Sequence, residues 1–460
     1  MTSGHVAVID IGKTNAKLAL VRLADLGEVA VVTRPNRVAP GPPYSHFDVE
    51  GHWAFLMDGL ARFQAEHGVD AITVTTHGAA AALIGADGAL AAPILDYEHR
   101  GPEDVASEYD AIRPPFAVTG SPRLAMGLNL GAQLHWQLAK DPALRERVAH
   151  VVTYPQYWGY RLTGVLATDV TSLGCHTDLW NPHEGRFSDL PEALGLAGTI
   201  APPMRPGEVL GPVTEEVARA TGVAAGTPVH CGIHDSNASL LAHLVGRTPP
   251  FSVVSTGTWV VAMEVGGRSV TLDPARDTLV NVNAFGQAVP SARFMGGREH
   301  DLLLGAKSGA VEEDDLRAVL AGRVMLLPAV VADSGPFAGR QARWMGDEPA
   351  DGTGRRRAAV WLYLALMTAR CLELIGHQGP VIVEGPFARN PVYLTMLGVA
   401  ATSAVVPMDG ATGTSQGAAL LVSAEGAGRP ETPAHPAPDA EVGRLCAEYA
   451  AAWRAAVAAS

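Results

Sequence analysis

The sequence is poor in features that mark several large classes of protein. Its 460 residues include 4 cysteines. They lie far apart, at Cys175, Cys231, Cys371 and Cys446, which excludes a disulfide scaffold and fits a reducing cytoplasm. No apolar run reaches the ~18–20 residues that a membrane-spanning helix needs. The net charge is −13 and no basic tract occurs, so we expect neither a nucleic-acid nor a membrane partner.

Three common nucleotide and metal motifs are also missing. No GxxxxGK[ST] occurs, which excludes a Walker-type phosphate site. No GxGxxG opens a helix after the first strand, which disfavours a dinucleotide-binding Rossmann domain. No HExxH motif or Cys/His cluster indicates zinc. The chain is 47% hydrophobic and 18% charged, as compact globular proteins are, and it is long enough for two or three domains.

The most informative segment is residues 6–21, VAVIDIGKTNAKLALV. It reads as a strand, a polar turn and a second strand. The N–H groups of such a turn can bind an anion, with Gly12 allowing close approach and Lys13, Thr14, Asn15 and Lys17 adding donors or charge. Asp10, at the end of the first strand, could order Mg²⁺ through water beside phosphates. The alternative is an ordinary N-terminal hairpin with a polar turn.

Residues 251–265, FSVVSTGTWVVAMEV, repeat this pattern about half a chain later. Their polar turn consists of Ser255, Thr256, Gly257 and Thr258. A self-similar element is a stronger signal than a lone motif. Two such turns predict two related lobes that face each other across a cleft. Elsewhere strands alternate with helices, for example a strand at 71–76 and helices at 130–138 and 355–376, which indicates an α/β fold.

Asp235, in GIHDSNASL, follows a short predicted strand and begins a predicted helix. A carboxylate there could be a simple helix N-cap. It could also be a general base that accepts a proton from an attacking hydroxyl, and the two roles are compatible.

Further polar residues at strand ends or in loops are candidates for binding a polyol. His77 and Gly78 end one strand, Glu98 and Arg100 lie in PILDYEHRGPE, and Asp169 lies in LTGVLATDVTS. For Glu98 and Arg100 the alternative is a solvated surface ion pair.

Taken together, these segments resemble the FGGY carbohydrate kinases. DIGKTNAK is similar to the family's first phosphate motif, VVSTGTW to its second, and GIHDSNAS to the segment with its catalytic Asp. EGPFARN and GATGTSQGAALL lie where its adenosine motifs are expected, which points to Gly385 and Gly413. The adjacent His234–Asp235 and the STGTW turn resemble the rhamnulokinase and fuculokinase branch most. Pro386 and Phe387 stand where the family usually carries further glycines, so the adenine contacts stay open.

The resemblance implies two actin-like (ribonuclease H-like) lobes with a central ligand cleft. Residues 1–245 would form the sugar-binding lobe with the first phosphate turn, and residues 246–460 the nucleotide-binding lobe. The resemblance also implies the following roles. Asp235 would be the catalytic base, Asp10 would hold Mg²⁺, and ATP would be held by Gly12, Lys13, Thr14, Asn15, Lys17, Ser255, Thr256, Gly257, Thr258, Gly385 and Gly413. The sugar would be held by His77, Gly78, Glu98, Arg100, Asp169, His234 and Asp235.

We therefore expect a cytoplasmic, ATP- and Mg²⁺-dependent kinase that acts on a ketose, either a 6-deoxyhexulose such as L-rhamnulose or L-fuculose, or a pentulose. The alternatives are a kinase for a sugar acid or a short polyol, and a non-catalytic, nucleotide-gated sugar sensor on the same fold. Both phosphate turns and Asp235 argue against the sensor. A polymerising actin-like ATPase is disfavoured because the resemblance extends into the sugar site. The sequence does not identify the sugar, the hydroxyl that is phosphorylated or the oligomeric state. A homodimer is one option for the oligomeric state.

Overall fold

The computed structural model describes residues 4–305, 309–408, 413–423 and 432–459. These residues form two compact units. The first comprises the described residues of 4–247, 280–288 and 413–423, and the second those of 248–279, 289–408 and 432–459. The chain first passes from one unit to the other between Arg247 and Thr248.

Strands and short helices alternate through residues 4–247. The strands are β1 His5–Ile11, β2 Asn15–Arg22, β3 Gly27–Pro35, β4 Val38–Ala39, β5 His46–Phe47, β6 Ala71–Thr76, β7 Ala81–Ile84, β8 His150–Thr153, β9 Thr168–Asp169, β10 Trp180–Asn181, β11 Arg186–Phe187, β12 Pro203–Met204, β13 Val209–Pro212, β14 Pro228–His230 and β15 Ile233–His234. The helices are α1 Val49–Glu66, α2 Ala106–Ile112, α3 Phe116–Thr119, α4 Leu130–Lys140, α5 Leu144–Arg147, α6 Tyr154–Thr163, α7 Val170–Leu173, α8 Leu190–Ala193, α9 Glu215–Thr221 and α10 Asp235–Gly246.

The remaining described residues continue the same alternation. The strands are β16 Phe251–Thr256, β17 Val260–Val265, β18 Thr278–Val282, β19 Ala288–Phe294, β20 Met325–Leu327, β21 Arg343–Met345, β22 Val381–Glu384 and β23 Val405–Pro407. The helices are α11 Gly296–Leu304, α12 Glu313–Gly322, α13 Gly354–Leu374, α14 Pro391–Ala401, α15 Thr414–Ala419 and α16 Ala440–Ala458. Short 3₁₀ helices occur at Gly101–Val105, Pro274–Arg276 and Pro386–Arg389.

The first unit is built on a seven-stranded mixed sheet in the order β13-β14-β6-β1-β2-β3, with β15 also paired to β6. β1 is apolar on both faces, and Val6 to Ile9 are fully buried. Helix α1 packs on the sheet through Leu56, Leu60 and Phe63, an i, i+4, i+7 row of the kind that forms an apolar helix face. The Asp48 carboxylate caps this helix by accepting from the Gly51 N–H at 3.0 Å.

The second unit is built on the strands β19-β17-β16-β22-β23, which neighbour one another in this order in a second sheet. Its long helix α13 is buried almost throughout its middle, from Ala358 to Thr368, so it forms the centre of the unit's core. Helix α16 packs onto the same core through Tyr449 and Trp453. The Trp453 Nε1–H donates to the Leu326 carbonyl at 2.8 Å, which satisfies the polar atom of a buried ring.

The architecture confirms the α/β prediction. The predicted strand pairs at 6–21 and 251–265 are both present, as antiparallel pairs β1–β2 and β16–β17. Among the described residues, no helix is long and apolar enough to cross a lipid bilayer. The four cysteines are buried free thiols.

Candidate active site

Three parallel strands of the first unit end at one edge of the sheet. β1 and β15 both pair with the central strand β6, with Asp10 and Ile233 each opposite Thr75. Neighbouring strands lie about 4.8 Å apart, so the residues that follow them meet at this edge. The edge therefore brings together the turn after Asp10, His77 after β6, and Asp235 after β15.

The first turn is closed by its own backbone. The Gly12 N–H donates to the Asn15 carbonyl at 2.9 Å, and Asn36 Nδ2 donates to the Gly12 carbonyl at 2.7 Å. A Cβ at position 12 would lie only 3.2 Å from the Asn15 oxygen, which explains the glycine. Thr14 and Asn15 are exposed, so this tight turn presents them to solvent.

The two lysines of this hairpin are both paired with carboxylates. Lys13 Nζ forms ion pairs with Asp96 and Glu98, the latter at 3.2 Å, and lies 4.6 Å from the Tyr97 ring centroid. Lys17 Nζ lies 2.5 Å from Glu28 Oε1. Sequence reasoning missed Asp96, whose only local signal is its place two residues before Glu98. These contacts direct the Lys13 ammonium group toward the loop formed by residues 95–100.

The surroundings of Asp10 destabilise the ionised form of its carboxylate. Burial raises its pKa to about 7, the nearby Asp235 carboxylate acts in the same direction, and Lys17 opposes them. Two carboxylates close enough to repel each other in a partly buried site favour a bound cation. No group of three or more His, Cys, Asp or Glu side chains among the described residues could hold a metal. Asp10 and Asp235 thus fit Mg²⁺ held by one or two carboxylates together with substrate phosphates, and not a closed protein cage.

Asp235 is the first residue of α10, and His234 precedes the helix. Its carboxylate accepts from the Ser236 N–H at 2.6 Å and lies 3.1 Å from His234 Nε2. An N-cap carboxylate instead accepts from N–H groups two or three positions further along the chain. The side chain is 33% exposed, so it can be reached by a ligand hydroxyl.

His234 connects Asp235 to a buried thiol. Its Nε2 lies 3.6 Å from Cys175 Sγ, and its Nδ1 lies 3.3 Å from Asn237 Nδ2. Burial lowers the pKa of His234, but Cys175 and Asp235 outweigh it and raise the pKa to about 9. Burial likewise opposes ionisation of Cys175, yet His176 and His234 lower its pKa to about 5. These shifts favour an imidazolium whose Nε2 lies beside the Asp235 carboxylate.

His77 is a neutral ring with an unused acceptor. Burial lowers its pKa to about 4. Its Nδ1–H donates to the Gly78 carbonyl at 2.8 Å, which leaves Nε2 as an acceptor. That Nε2 is buried and has no hydrogen-bond partner among the described residues. The ring lies against Phe47, Tyr97 and Tyr154, so a hydroxyl donor is the group this position lacks.

Gly78 is required by close packing. A Cβ there would lie 2.9 Å from His234 Nε2 and 3.2 Å from Cys175 Sγ. The glycine therefore lets the strand end approach the His234–Cys175 pair.

The other predicted sugar-site residues lie in different environments. Glu98 is 57% exposed and pairs with Lys13. Arg100 is 81% exposed and pairs with Glu103 at 2.9 Å. Asp169 is fully buried, where burial raises its pKa, and it caps α7 by accepting from the N–H groups of Thr171 and Ser172. The structure brings His77, Gly78, Glu98, His234 and Asp235 together with Lys13 and Asp10. Asp169 is linked to this group through Thr171, whose hydroxyl donates to Asp169 and accepts from the His234 N–H at 3.0 Å, whereas Arg100 makes a separate contact.

The second turn lies in the second unit and is likewise closed by its backbone. The Gly257 N–H donates to the Trp259 carbonyl at 2.9 Å, and Gly257 and Thr258 are exposed. Gly385 packs against the start of this turn, because a Cβ there would lie 2.0 Å from the Thr256 oxygen and its φ is +83°. The structure thus brings Gly385 to the residues 255–258.

Gly413 immediately precedes α15, within the first unit. Residues 410–412 of the predicted adenosine segment lie outside the described residues. The following helix packs tightly on α10, because a Cβ on Gly417 would lie 1.9 Å from the Ala238 carbonyl oxygen. This contact fixes the position of the helix that begins with Asp235.

Comparison with known proteins identifies the fold. Residues 5–242 match the N-terminal domain model of the FGGY family of carbohydrate kinases, and residues 248–431 match an FGGY C-terminal domain model. The chain belongs to the FGGY family of carbohydrate kinases. The predicted recognition is therefore confirmed.

Individual FGGY relatives support this assignment. A crystal structure of a carbohydrate kinase from Novosphingobium aromaticivorans is 37% identical, covers 100% of both chains and superimposes with a TM-score of 0.92. L-fuculokinase of Salmonella typhi is 27% identical over 58% of this chain and 58% of its own length. Rhamnulokinase of Bacteroides thetaiotaomicron is 26% identical over 55% of this chain and 53% of its own. The chain thus matches little more than half the length of these two curated relatives.

The FGGY assignment confirms the two-domain α/β fold and the enzyme class, because FGGY members and the named relatives are sugar kinases, which are phosphotransferases with an alcohol acceptor. The similarity to L-fuculokinase and rhamnulokinase agrees with the predicted branch. FGGY kinases use ATP as phosphate donor. The site residues, the metal and the sugar stay predictions.

Proposed function

We propose that this chain is a cytoplasmic, ATP- and Mg²⁺-dependent kinase that phosphorylates a hydroxyl of a ketose, either a 6-deoxyhexulose such as L-rhamnulose or L-fuculose, or a pentulose. In this proposal residues 1–245 bind the sugar and residues 246–460 the nucleotide. The observation that carries it is the position of Asp235, a partly exposed carboxylate at the sheet edge beside Asp10 and the first turn.

Asp235 would act as the general base. Its carboxylate takes the proton of the sugar hydroxyl while the hydroxyl oxygen bonds to the γ-phosphorus of ATP and the bond to the leaving ADP oxygen breaks. The protonated ring of His234, 3.1 Å away, would hold the Asp235 side chain in position for this step. Mg²⁺, when bound beside Asp10, would neutralise charge on the transferring phosphate.

Gly12 to Asn15 and Ser255 to Thr258 would form the two phosphate turns, with Gly385 and Gly413 flanking the nucleoside. The N–H groups of Gly12 and Gly257 close these turns, so the exposed residues Thr14, Asn15 and Thr258 would supply the donors to the phosphates. Lys17, which pairs with Glu28, would add positive charge. Lys13 is neutralised by Asp96 and Glu98, so its role would be to order the sugar loop.

Electrostatics favours a neutral ketose over a sugar acid. Asp10, Asp96, Glu98 and Asp235 bring four carboxylates to this region, and both lysines of the first hairpin are already paired, Lys13 with Asp96 and Glu98 and Lys17 with Glu28. A substrate carboxylate would meet like charges there, which costs free energy. The unpartnered acceptor of His77 instead suits a hydroxyl.

The test is a coupled ADP-release screen of wild type with L-rhamnulose, L-fuculose, L- and D-xylulose, gluconate and glycerol. Asp235→Asn should lose about 10²–10⁴-fold in kcat on the best sugar. Its ATP affinity, measured by calorimetry, should stay within threefold of wild type. Asp58→Asn, an exposed change on α1, is the matched control. Turnover of Asp235→Asn within threefold of wild type would remove Asp235 from the mechanism, and preference for gluconate would overturn the ketose proposal.

A further inference from the structure

The second unit contains a cavity of about 640 Å³ with a strongly basic lining. It lies among the C-terminal half of α13, the end of α16 and the loops near 268–276, 337–340 and 377. Its charged and titratable lining residues are Arg268, Arg276, Arg340, Arg370, Arg454, His377 and Glu373. We call this cavity the arginine pocket. Its excess of positive charge is notable in a chain whose net charge is −13.

The guanidinium groups of the arginine pocket are only partly compensated. Glu373 is the single acid among the described lining residues, and it pairs with Arg370. Burial lowers the pKa of Arg276, and repulsion from Arg370 and Arg340 acts in the same direction, while Asp273 and Glu373 oppose these effects without cancelling them. The cluster therefore holds like charges close enough to repel one another, an arrangement that a bound anion would relieve.

Backbone carbonyls hold these side chains in place without neutralising them. Arg276 Nε donates to the Pro336 carbonyl at 3.2 Å, and Arg454 Nη2 donates to the Ala400 carbonyl at 2.6 Å. A guanidinium has five N–H donors in a rigid fork. Each of these bonds therefore orients an arginine and leaves other donors of its fork available.

The arginine pocket is distinct from the phosphate turn of this unit. His377, on the wall of the pocket, lies 2.7 Å from Ser252 Oγ at the start of β16. The turn residues 255–258 lie at the other end of that strand, whose last residue is Thr256. Four residues at about 3.3 Å each separate the two ends by roughly 13 Å. The pocket thus faces the opposite edge of the sheet from residues 255–258.

We propose that the arginine pocket is a second anion site, which binds a small molecule carrying two phosphate groups, such as a sugar bisphosphate or pyrophosphate. Guanidinium forks match phosphate oxygens in bidentate geometry. A cavity of about 640 Å³ lies in the range typical of sites for ligands of this size. Arg268, Arg276 and Arg454 have no carboxylate within ion-pair distance among the described residues, and more than one such guanidinium favours a bisphosphate over a monoanion. Such a ligand would link α13 to α16.

The test is isothermal titration of the full chain with pyrophosphate and, separately, glucose 1,6-bisphosphate, at constant ionic strength and with the catalytic site saturated by a non-hydrolysable Mg·ATP analogue. One further site per chain is expected for at least one probe. The paired variant R370Q/R454Q, with one change on α13 and one on α16, should weaken binding at least tenfold. R355Q/R444Q changes one exposed arginine on each of the same helices, outside the pocket, and should stay within twofold of wild type.

Turnover separates this proposal from that of the active site. R370Q/R454Q should keep the kcat and the KM for ATP of wild type, since the pocket lies at the far edge of the sheet. Absence of a second saturable site on wild type would overturn the proposal whether or not the variant folds. An equal loss of affinity in both paired variants would also overturn it, because the effect would then reflect general charge.

Discussion

Replacing Asp10 by Asn should stabilise the ligand-free protein at alkaline pH while it weakens catalysis. The pKa of Asp10 is raised from 3.8 to about 7, first by burial and then by the neighbouring Asp235 carboxylate. At 1.36 kcal/mol per pH unit, this rise corresponds to about 4 kcal/mol. Asparagine has nearly the same shape as aspartate but carries no charge, so the variant lacks this free-energy cost of a buried charge.

The sign of the pH dependence follows from proton binding. Because the folded pKa of Asp10 exceeds the unfolded value, the native chain holds more protons between pH 3.8 and about 7. Its free energy of unfolding therefore falls as pH rises across this window. The advantage of Asp10→Asn should be about 1.5 kcal/mol at pH 5 and about 4 kcal/mol at pH 8.

Thermal unfolding followed by circular dichroism at both pH values measures this difference. At roughly 2 °C per kcal/mol, the variant should melt about 3 °C above wild type at pH 5 and about 8 °C above it at pH 8. Asp58→Asn removes an exposed carboxylate from α1 and should show no such pH-dependent gain. Mg²⁺ should raise the melting temperature of wild type more than that of Asp10→Asn, because the cation offsets the same repulsion.

Two results would refute the reasoning. A gain of equal size at pH 5 and pH 8 would mean that the carboxylate charge is not its source. A variant no more stable than wild type at pH 8 would mean that Asp10 is not destabilised by its surroundings. Loss of turnover in a more stable variant would be the pattern expected where an active site holds unfavourable charge for function.

Local sequence patterns were sufficient to predict much of the fold. The segments at 6–11, 71–76 and 251–256 appear as β1, β6 and β16, because each is short, rich in β-branched residues and followed by polar turn residues. The helical spacing of Leu445, Tyr449 and Trp453 appears in α16, with Tyr449 and Trp453 buried. These features depend on neighbouring residues, which the sequence displays directly.

The contacts within the site join residues that are far apart in the chain, and local sequence patterns do not predict such contacts. Cys175 meets His234 across 59 positions, and Lys13 meets Asp96 across 83. No periodicity or motif links such residues, since strand order in the sheet alone decides which loops become neighbours. The sequence could therefore predict that Asp10, His77 and Asp235 end strands, but not that His234 would form a pair with a buried thiol.

The same reasoning explains why the arginine pocket has no sequence signal. Its five arginines come from four separate segments, near 268–276, at 340, in α13 and in α16, and the chain has no basic tract. A basic site assembled by tertiary structure is invisible to charge patterning, which detects only runs along the chain.

Two further substitutions test the contacts around the proposed sugar site. Arg100→Ala should change kcat/KM for the sugar by less than about fivefold, because an exposed ion pair such as that with Glu103 contributes about 0–1 kcal/mol; a loss above tenfold with an unchanged KM for ATP would instead place Arg100 at the sugar. Cys175→Ser should move the alkaline fall of kcat/KM to lower pH by at least one unit. The wild-type profile should fall near pH 9, where His234 loses its proton, and the serine hydroxyl, which stays neutral, removes the thiolate that helps to raise that pKa. Superimposable pH profiles between pH 6 and 10, with normal folding of the variant, would show that the thiol does not control the charge of His234.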